Sequence, residues 1–318
     1  MNLLEKYQSV IIIIAIISAL VLGQISIISS VSNHLIIPFL FLMLFGIFMA
    51  MRTDDFKKSF LNFRFTKISL LINFIWTPIL AYILGYLFLY NEPEIWIGFI
   101  MLLVTPCTDW YLIFTDIAKG NVPLSLSILP LNLTLQIILL PIYLLLFTGV
   151  SSSFDITILI ESILFIIILP FILAQIVKYL LKKSKNIKNN AESNIISFFD
   201  SSQIVFLSLA IFCMFASQGS YLLKNLWAFL ILFVPIILFF IINFILVKIV
   251  SKRLNMKYEE YASLSLTTLA RNSPISLAIA VTAFPNDPII ALALVIAPLI
   301  ELPVLAIVAQ ILLSTRKN

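Results

Sequence analysis

Charge is what this chain has least of. Charged residues fill 11% of its 318 positions and hydrophobic residues 62%, against ~25% charged in soluble domains. A water-soluble globular protein is excluded. Histidine is nearly absent as well: His34 is the only one, so no H-E-x-x-H zinc site can form and neither cysteine has a histidine to activate it. The two cysteines, Cys107 and Cys213, both lie within apolar runs, and a disulfide framework is not expected. No G-x-S-x-G elbow and no Walker-A loop occurs. An enzyme, a resident cofactor and direct coupling to ATP are therefore not expected. The longest polar stretch, 182–196, is about fifteen residues, too short for a soluble domain.

Long apolar runs are what the chain does have. A spanning helix needs ~20 such residues to cross ~30 Å of hydrocarbon. The sequence divides into ten segments of that kind: 8–30, 34–51, 66–90, 95–118, 122–148, 156–181, 197–219, 226–250, 259–284 and 288–314. The net charge of +5 does not imply a nucleic-acid partner, because of where the basic residues fall. Of 20 Lys and Arg, 18 lie in, or within a few residues of, the N-terminal tail, alternate loops or the C-terminal tail. Only Lys224 is in an opposite loop, and Arg271 sits inside a segment. By the positive-inside rule both termini are cytoplasmic, which requires an even number of spans. Lys6 followed by a long apolar run suits an uncleaved signal anchor in the plasma membrane. Trp96, Trp227 and Tyr90 suit anchors at the lipid headgroups, and His34 is expected in a short outer loop.

Five spans per half is an odd number, so a duplicated unit inserts upside down the second time. An offset of 165 residues places Ala118 on Ala283, Asn121 on Asn286 and Pro123 on Pro288. The expected fold is a single all-α integral membrane domain over 1–318. It comprises two inverted five-helix repeats, 1–149 and 150–318, joined through the basic connection 182–190.

Two segments are interrupted midway by polar, proline-containing clusters at that same offset. These are Thr105-Pro106-Cys107-Thr108-Asp109 and Ala270-Arg271-Asn272-Ser273-Pro274. Proline frees backbone groups that hydrocarbon cannot satisfy, so such breaks line a cavity or bury against protein. Paired breaks in two halves point to a transporter's binding site. Pro106 and Pro274 are the expected helix breaks of segments 4 and 9, which cross near the midplane.

An arginine at bilayer depth costs ~3 kcal/mol on insertion scales and must face protein or water. Arg271 could bind an anionic substrate, stand in for a bound cation, or form a fixed ion pair. Asp109 is its candidate partner. Separating the two would raise the carboxylate's proton affinity, which makes Asp109 a candidate for coupling. Glu301, flanked by Pro298 and Pro303, is a second intramembrane acid and a second coupling candidate. Cys107 offers a soft ligand, and Thr108, Asn132, Asn272 and Ser273 offer polar contacts. Cys213 reads as packing.

The stretches TPCTDWYLIFTDIAKGN (105–121), LPLNLTLQ (129–136) and ARNSPISLAIAVTAFPNDPIIALALVIAPLIELPVL (270–305) resemble the bile acid:sodium symporter superfamily. Within it they are more like the bacterial arsenite-resistance efflux permeases. The resemblance implies a core of segments 3–5 and 8–10, with crossed, unwound fourth and ninth helices, moving against a panel of segments 1, 2, 6 and 7. In the permeases a cysteine follows a proline in the fourth segment and is implicated in transport, as Pro106-Cys107 does here. Two departures stand out. The permeases carry a glutamate shortly after the second break where this chain has Ser276. Sodium-coupled members place a glutamate and a glutamine around that break, where this chain has Thr267 or Thr268 and Arg271.

The resulting expectation is a secondary transporter exporting arsenite or a related trivalent metalloid by alternating access. Cys107 would contact the metalloid and a proton would be the coupling ion. The alternative is an uptake symporter for an organic anion held by Arg271. The expected partners are a small-molecule or oxyanion substrate and membrane lipid.

Overall fold

The computed structural model describes residues 8–50, 62–108, 110–148, 161, 164–183, 198–199, 202, 204–217, 226–285 and 287–316. Among them the chain is all helix and connection, with no strand beyond one isolated backbone bridge. That follows from composition: in hydrocarbon every backbone N–H and C=O must be satisfied within the segment, and a helix does this locally.

Among the described residues, six helices are long and apolar enough to cross a bilayer: 26–49, 63–89, 122–147, 164–181, 230–253 and 288–316. Four shorter apolar helices accompany them: Ile13–Leu22, Pro93–Leu103, Ile204–Ser217 and Ser273–Ala283. The protein is thus an all-α, multi-pass membrane protein. Lipid-facing side chains such as Ile75, Ile79, Leu87, Leu146 and Leu230 are large, apolar and exposed.

The helices are α1 (Gln8–Leu22), α2 (Ser26–Ala50), α3 (Phe63–Leu89), α4 (Pro93–Leu103), α5 (Trp110–Ile117), α6 (Val122–Thr148), α7 (Leu169–Lys183), α8 (Ile204–Ser217), α9 (Leu226–Arg253), α10 (Tyr258–Leu269), α11 (Ser273–Ala283) and α12 (Pro288–Arg316). A π turn, Ile72–Trp76, interrupts α3, and another, Leu164–Ile168, precedes α7.

The described residues fall into two compact units. One holds α1, α2, α7, α8 and residues from Ala278 to the start of α12. Here α2 packs along α7, with Phe48 edge-on to Phe171 and Lys178 Nζ donating to the Phe48 carbonyl at 2.8 Å. The first expected span, 8–30, is corrected in this unit. The chain turns at Gly23–Ile25, and α2 begins at Ser26. A Cβ at Gly23 would lie 2.5 Å from the Ala216 carbonyl oxygen, so the turn sits where only glycine allows two backbones to touch. His34 accordingly lies within α2, bonded to the Ser30 carbonyl oxygen at 2.9 Å, and not in a loop.

The other unit holds α3–α6, α9, α10, the first residues of α11 and nearly all of α12. Small residues let its helices approach closely. At Gly98 of α4 a Cβ would meet the Ile290 carbonyl and Ala293 Cβ of α12, each at 2.7 Å. At Gly85 of α3 it would meet the Trp96 indole, which packs on Tyr82 and Tyr90, and Tyr82 in turn on Phe147. Loop 118–121 is bonded to the start of α10: Tyr258 donates to the Ala118 carbonyl (2.7 Å), and the Asn121 N–H donates to the Ser263 hydroxyl (2.8 Å).

Candidate functional site

Both expected breaks are present, and they lie against each other. α4 stops at Leu103 and the chain resumes as α5 at Trp110; α10 stops at Leu269 and resumes as α11 at Ser273. Between them runs an antiparallel backbone bridge centred on Pro106 and Arg271. The Cys107 N–H donates to the Ala270 carbonyl at 3.0 Å, and the Asn272 N–H donates to the Thr105 carbonyl at 2.7 Å. Each break thereby satisfies backbone groups that the other's proline or unwinding set free, where no water would do it. Pro274 is the second residue of α11, where a missing N–H costs nothing. It starts the second half-helix, while Pro106 lies within the bridge itself.

Side chains reinforce the crossing. Asn272 caps α11 by accepting the Ile275 N–H at 3.3 Å, and its amide donates to the Thr108 hydroxyl at 3.3 Å. The Thr105 and Ser276 hydroxyls bond at 2.8 Å, and each also reaches the Met101 carbonyl at 2.8 Å. Ser276 therefore stitches α11 to the end of α4. Cys107 is buried immediately beside the bridge, as are Thr108, Asn272 and Ser273.

Arg271 is 1% exposed and its guanidinium faces oxygen. Nε donates to the Leu269 carbonyl (3.1 Å), Nη1 to the Leu103 carbonyl (2.8 Å), and Nη2 to Asn73 Oδ1 (3.0 Å) and the Thr268 carbonyl. The Phe239 ring lies 5.3 Å from the guanidinium carbon, a distance at which a ring face attracts a cation. Glu301 is also 1% exposed. Its Oε1 accepts the backbone N–H of Arg271 at 2.8 Å, while Oε2 has no partner among the described residues. Asp109 lies outside the described residues.

The guanidinium also sets a hydrogen-bond polarity. Arginine only donates, so Asn73 turns its oxygen to Arg271 and its NH2 to Asn132 Oδ1, at 3.5 Å. Among the described residues Asn132 is left with an unpartnered buried NH2, and Gln136, one turn further along α6, has both amide atoms unpartnered. Ser273 also keeps a buried hydroxyl without a partner among the described residues. Of the residues expected at the site, Asn132, Ser273 and Glu301 thus retain unused polar capacity; the Thr108–Asn272 pair lies across the bridge.

Sequence reasoning missed Asn73, Asn243 and Phe239. Asn243 donates to the Thr268 carbonyl at 2.7 Å. A signal existed: Ile-Asn-Phe-Ile occurs at 72–75 and again at 242–245, putting one buried asparagine into an apolar run of each of two helices. Within the π turn of α3, the Phe74 carbonyl has Pro78 four residues on, which carries no N–H, and it accepts from Tyr143 at 2.6 Å.

Two interrupted membrane helices joined through their unwound backbones, with polar groups gathered at the join, define the architecture of a secondary transporter. Comparison with known proteins agrees. The profile described as "Sodium Bile acid symporter family" matches residues 37–225, and the chain belongs to that family of membrane transporters. It is 25% identical over 277 residues to the arsenical-resistance protein Acr3 of Corynebacterium glutamicum, covering 84% of this chain and 74% of that one. It is 23% identical to an uncharacterized transporter, slr0944, of Synechocystis, covering 99% of this chain and 90% of the relative. A third similar protein is YbaS of Bacillus subtilis, uncharacterized, at 23% identity over 69% of this chain and 70% of YbaS. The family resemblance read from the sequence is thus the family found.

Proposed function

We propose that this chain exports arsenite, or a related trivalent metalloid, by alternating access coupled to inward proton movement. The observation that carries the reading is Cys107: a buried thiol at the backbone bridge of two broken helices, in a chain similar to a protein named for arsenical resistance. Thiolate sulfur is a soft ligand suited to trivalent arsenic. Thr108, Asn132, Asn272 and Ser273 supply hydrogen bonds around it. Glu301 or Asp109 carries the proton, and the unpartnered oxygen of Glu301 supports the first of these.

The proposed frame is ten spans in two inverted repeats, in the plasma membrane with both termini cytoplasmic. Its support is the bridge itself. The 165-residue offset carries Thr105, Pro106 and Cys107 onto Ala270, Arg271 and Asn272, and so exchanges the two bridging hydrogen bonds. A core of segments 3–5 and 8–10 moving against a panel of 1, 2, 6 and 7 is supported by the division into two compact units. The cytoplasmic placement of the termini rests on the distribution of lysine and arginine.

The test is arsenite accumulation in everted membrane vesicles, with a proton or a sodium gradient imposed separately. Accumulation driven by the proton gradient and reduced roughly tenfold in Cys107→Ser is expected. Absence of arsenite flux, together with organic-anion uptake indifferent to Cys107→Ser, would establish the uptake symporter instead; that alternative is favoured by the wording of the family's description.

A further inference from the structure

The family's description implies sodium, and the crossing does not fit it. Transporters hold sodium with unwound carbonyls and with the C-terminal ends of half-helices, where the helix dipole is negative. In this protein α4 and α10 both end at the crossing. Their final carbonyls, Leu103 for α4 and Thr268 and Leu269 for α10, all accept from one guanidinium, and Asn73 Oδ1 is a fourth acceptor on it. The Phe239 ring stands against the same group. These four oxygen atoms are therefore already occupied, by a group that keeps its proton in proteins. A cation at those oxygen atoms would meet a fixed like charge.

We infer that Arg271 is a tethered cation, occupying the place of a coupling metal ion at the joined ends of α4 and α10, so that this transporter's cycle runs without sodium. This rests on reading the crossing as the transport site. Two consequences follow from the bonding. Four of the five guanidinium N–H groups are committed to protein oxygen, so Arg271 holds the half-helices together and is not free to grip a substrate's carboxylate. A tethered charge also cannot be released on the far side of the membrane. Coupling then falls to a group that exchanges a proton, and Glu301 is bonded to the Arg271 backbone itself.

The experiment uses the purified full-length protein and sodium alone, with no transport substrate. Binding of radioactive sodium is measured by scintillation proximity, and the melting temperature is compared in sodium chloride and choline chloride at equal ionic strength. For the unaltered protein we expect no saturable sodium binding and no sodium-specific change in melting temperature. In Arg271→Ala we expect the melting temperature to fall by several degrees and to recover with millimolar methylguanidinium, which leaves the unaltered protein unchanged. Saturable sodium binding to the unaltered protein overturns the inference, as does a folded Arg271→Ala protein that methylguanidinium stabilises no more than wild type. If Arg271→Ala cannot be purified, the wild-type measurement decides alone. Failure of arsenite transport in vesicles would leave these binding results standing, so the two readings fail separately.

Discussion

The two breaks share a backbone and divide the chemistry. At the first, between Leu103 and Trp110, the described side chains are neutral: hydroxyls of Thr105 and Thr108 and the thiol of Cys107. At the second, between Leu269 and Ser273, a guanidinium reaches back to the ends of both half-helices. Leu103 and Thr268, whose carbonyls both accept from it, are themselves related by the 165-residue offset. The geometry is thus two-fold, while among the described side chains the charge stands on the second break. On the proposed reading, the two broken helices share one hydrogen-bonded frame and assign substrate contact to the first break and electrostatics to the second.

The severest way to break this comparison is to exchange the charged group for a smaller one. Lysine has three donors and no planar fork, so Arg271→Lys should orphan at least one of the four acceptors, at about 1–3 kcal/mol for each. Unfolding in detergent would show it, and a cost no larger than that of Thr105→Val would contradict the division of roles. Cys107→Ser sharpens the comparison from the other side. Arsenite flux should fall roughly tenfold, the equivalent of ~1.4 kcal/mol, with the melting temperature nearly unchanged; parallel losses in both would make the thiol structural. The asparagine pair probes the supporting layer. Asn73→Ala should destabilise by about 1–3 kcal/mol, and more than Asn243→Ala, because Asn73 serves both Arg271 and Asn132. Ser276→Ala should cost least, about 1 kcal/mol, for its bonds to Thr105 and Met101.

Much of this frame was readable beforehand, for identifiable reasons. Proline next to polar residues inside an apolar run has few explanations in a bilayer, so both breaks were placed within a few residues. The bounds of α6 were legible because its apolar run ends abruptly. The α1–α2 turn was misplaced because apolar composition is continuous through Gly23; the close approach to Ala216 that fixes the turn depends on residues far along the chain. The environment of Arg271 was only half legible. Its burial was expected, but carbonyl acceptors have no sequence signature, and single asparagines read as incidental until the repeated Ile-Asn-Phe-Ile is noticed. The expected approach of Asp109 to Arg271 lies outside the described residues.

The two-bond bridge sets a rule about length more than about letters. Adding one residue between Thr105 and Cys107, or between Ala270 and Asn272, would shift one strand against the other and leave a donor and an acceptor stranded in oil. Replacing a side chain there leaves both bonds in place. Across proteins that retain only a quarter of their residues in common, these two short spacers are where gaps should be least tolerated, even as the amino acids filling them change.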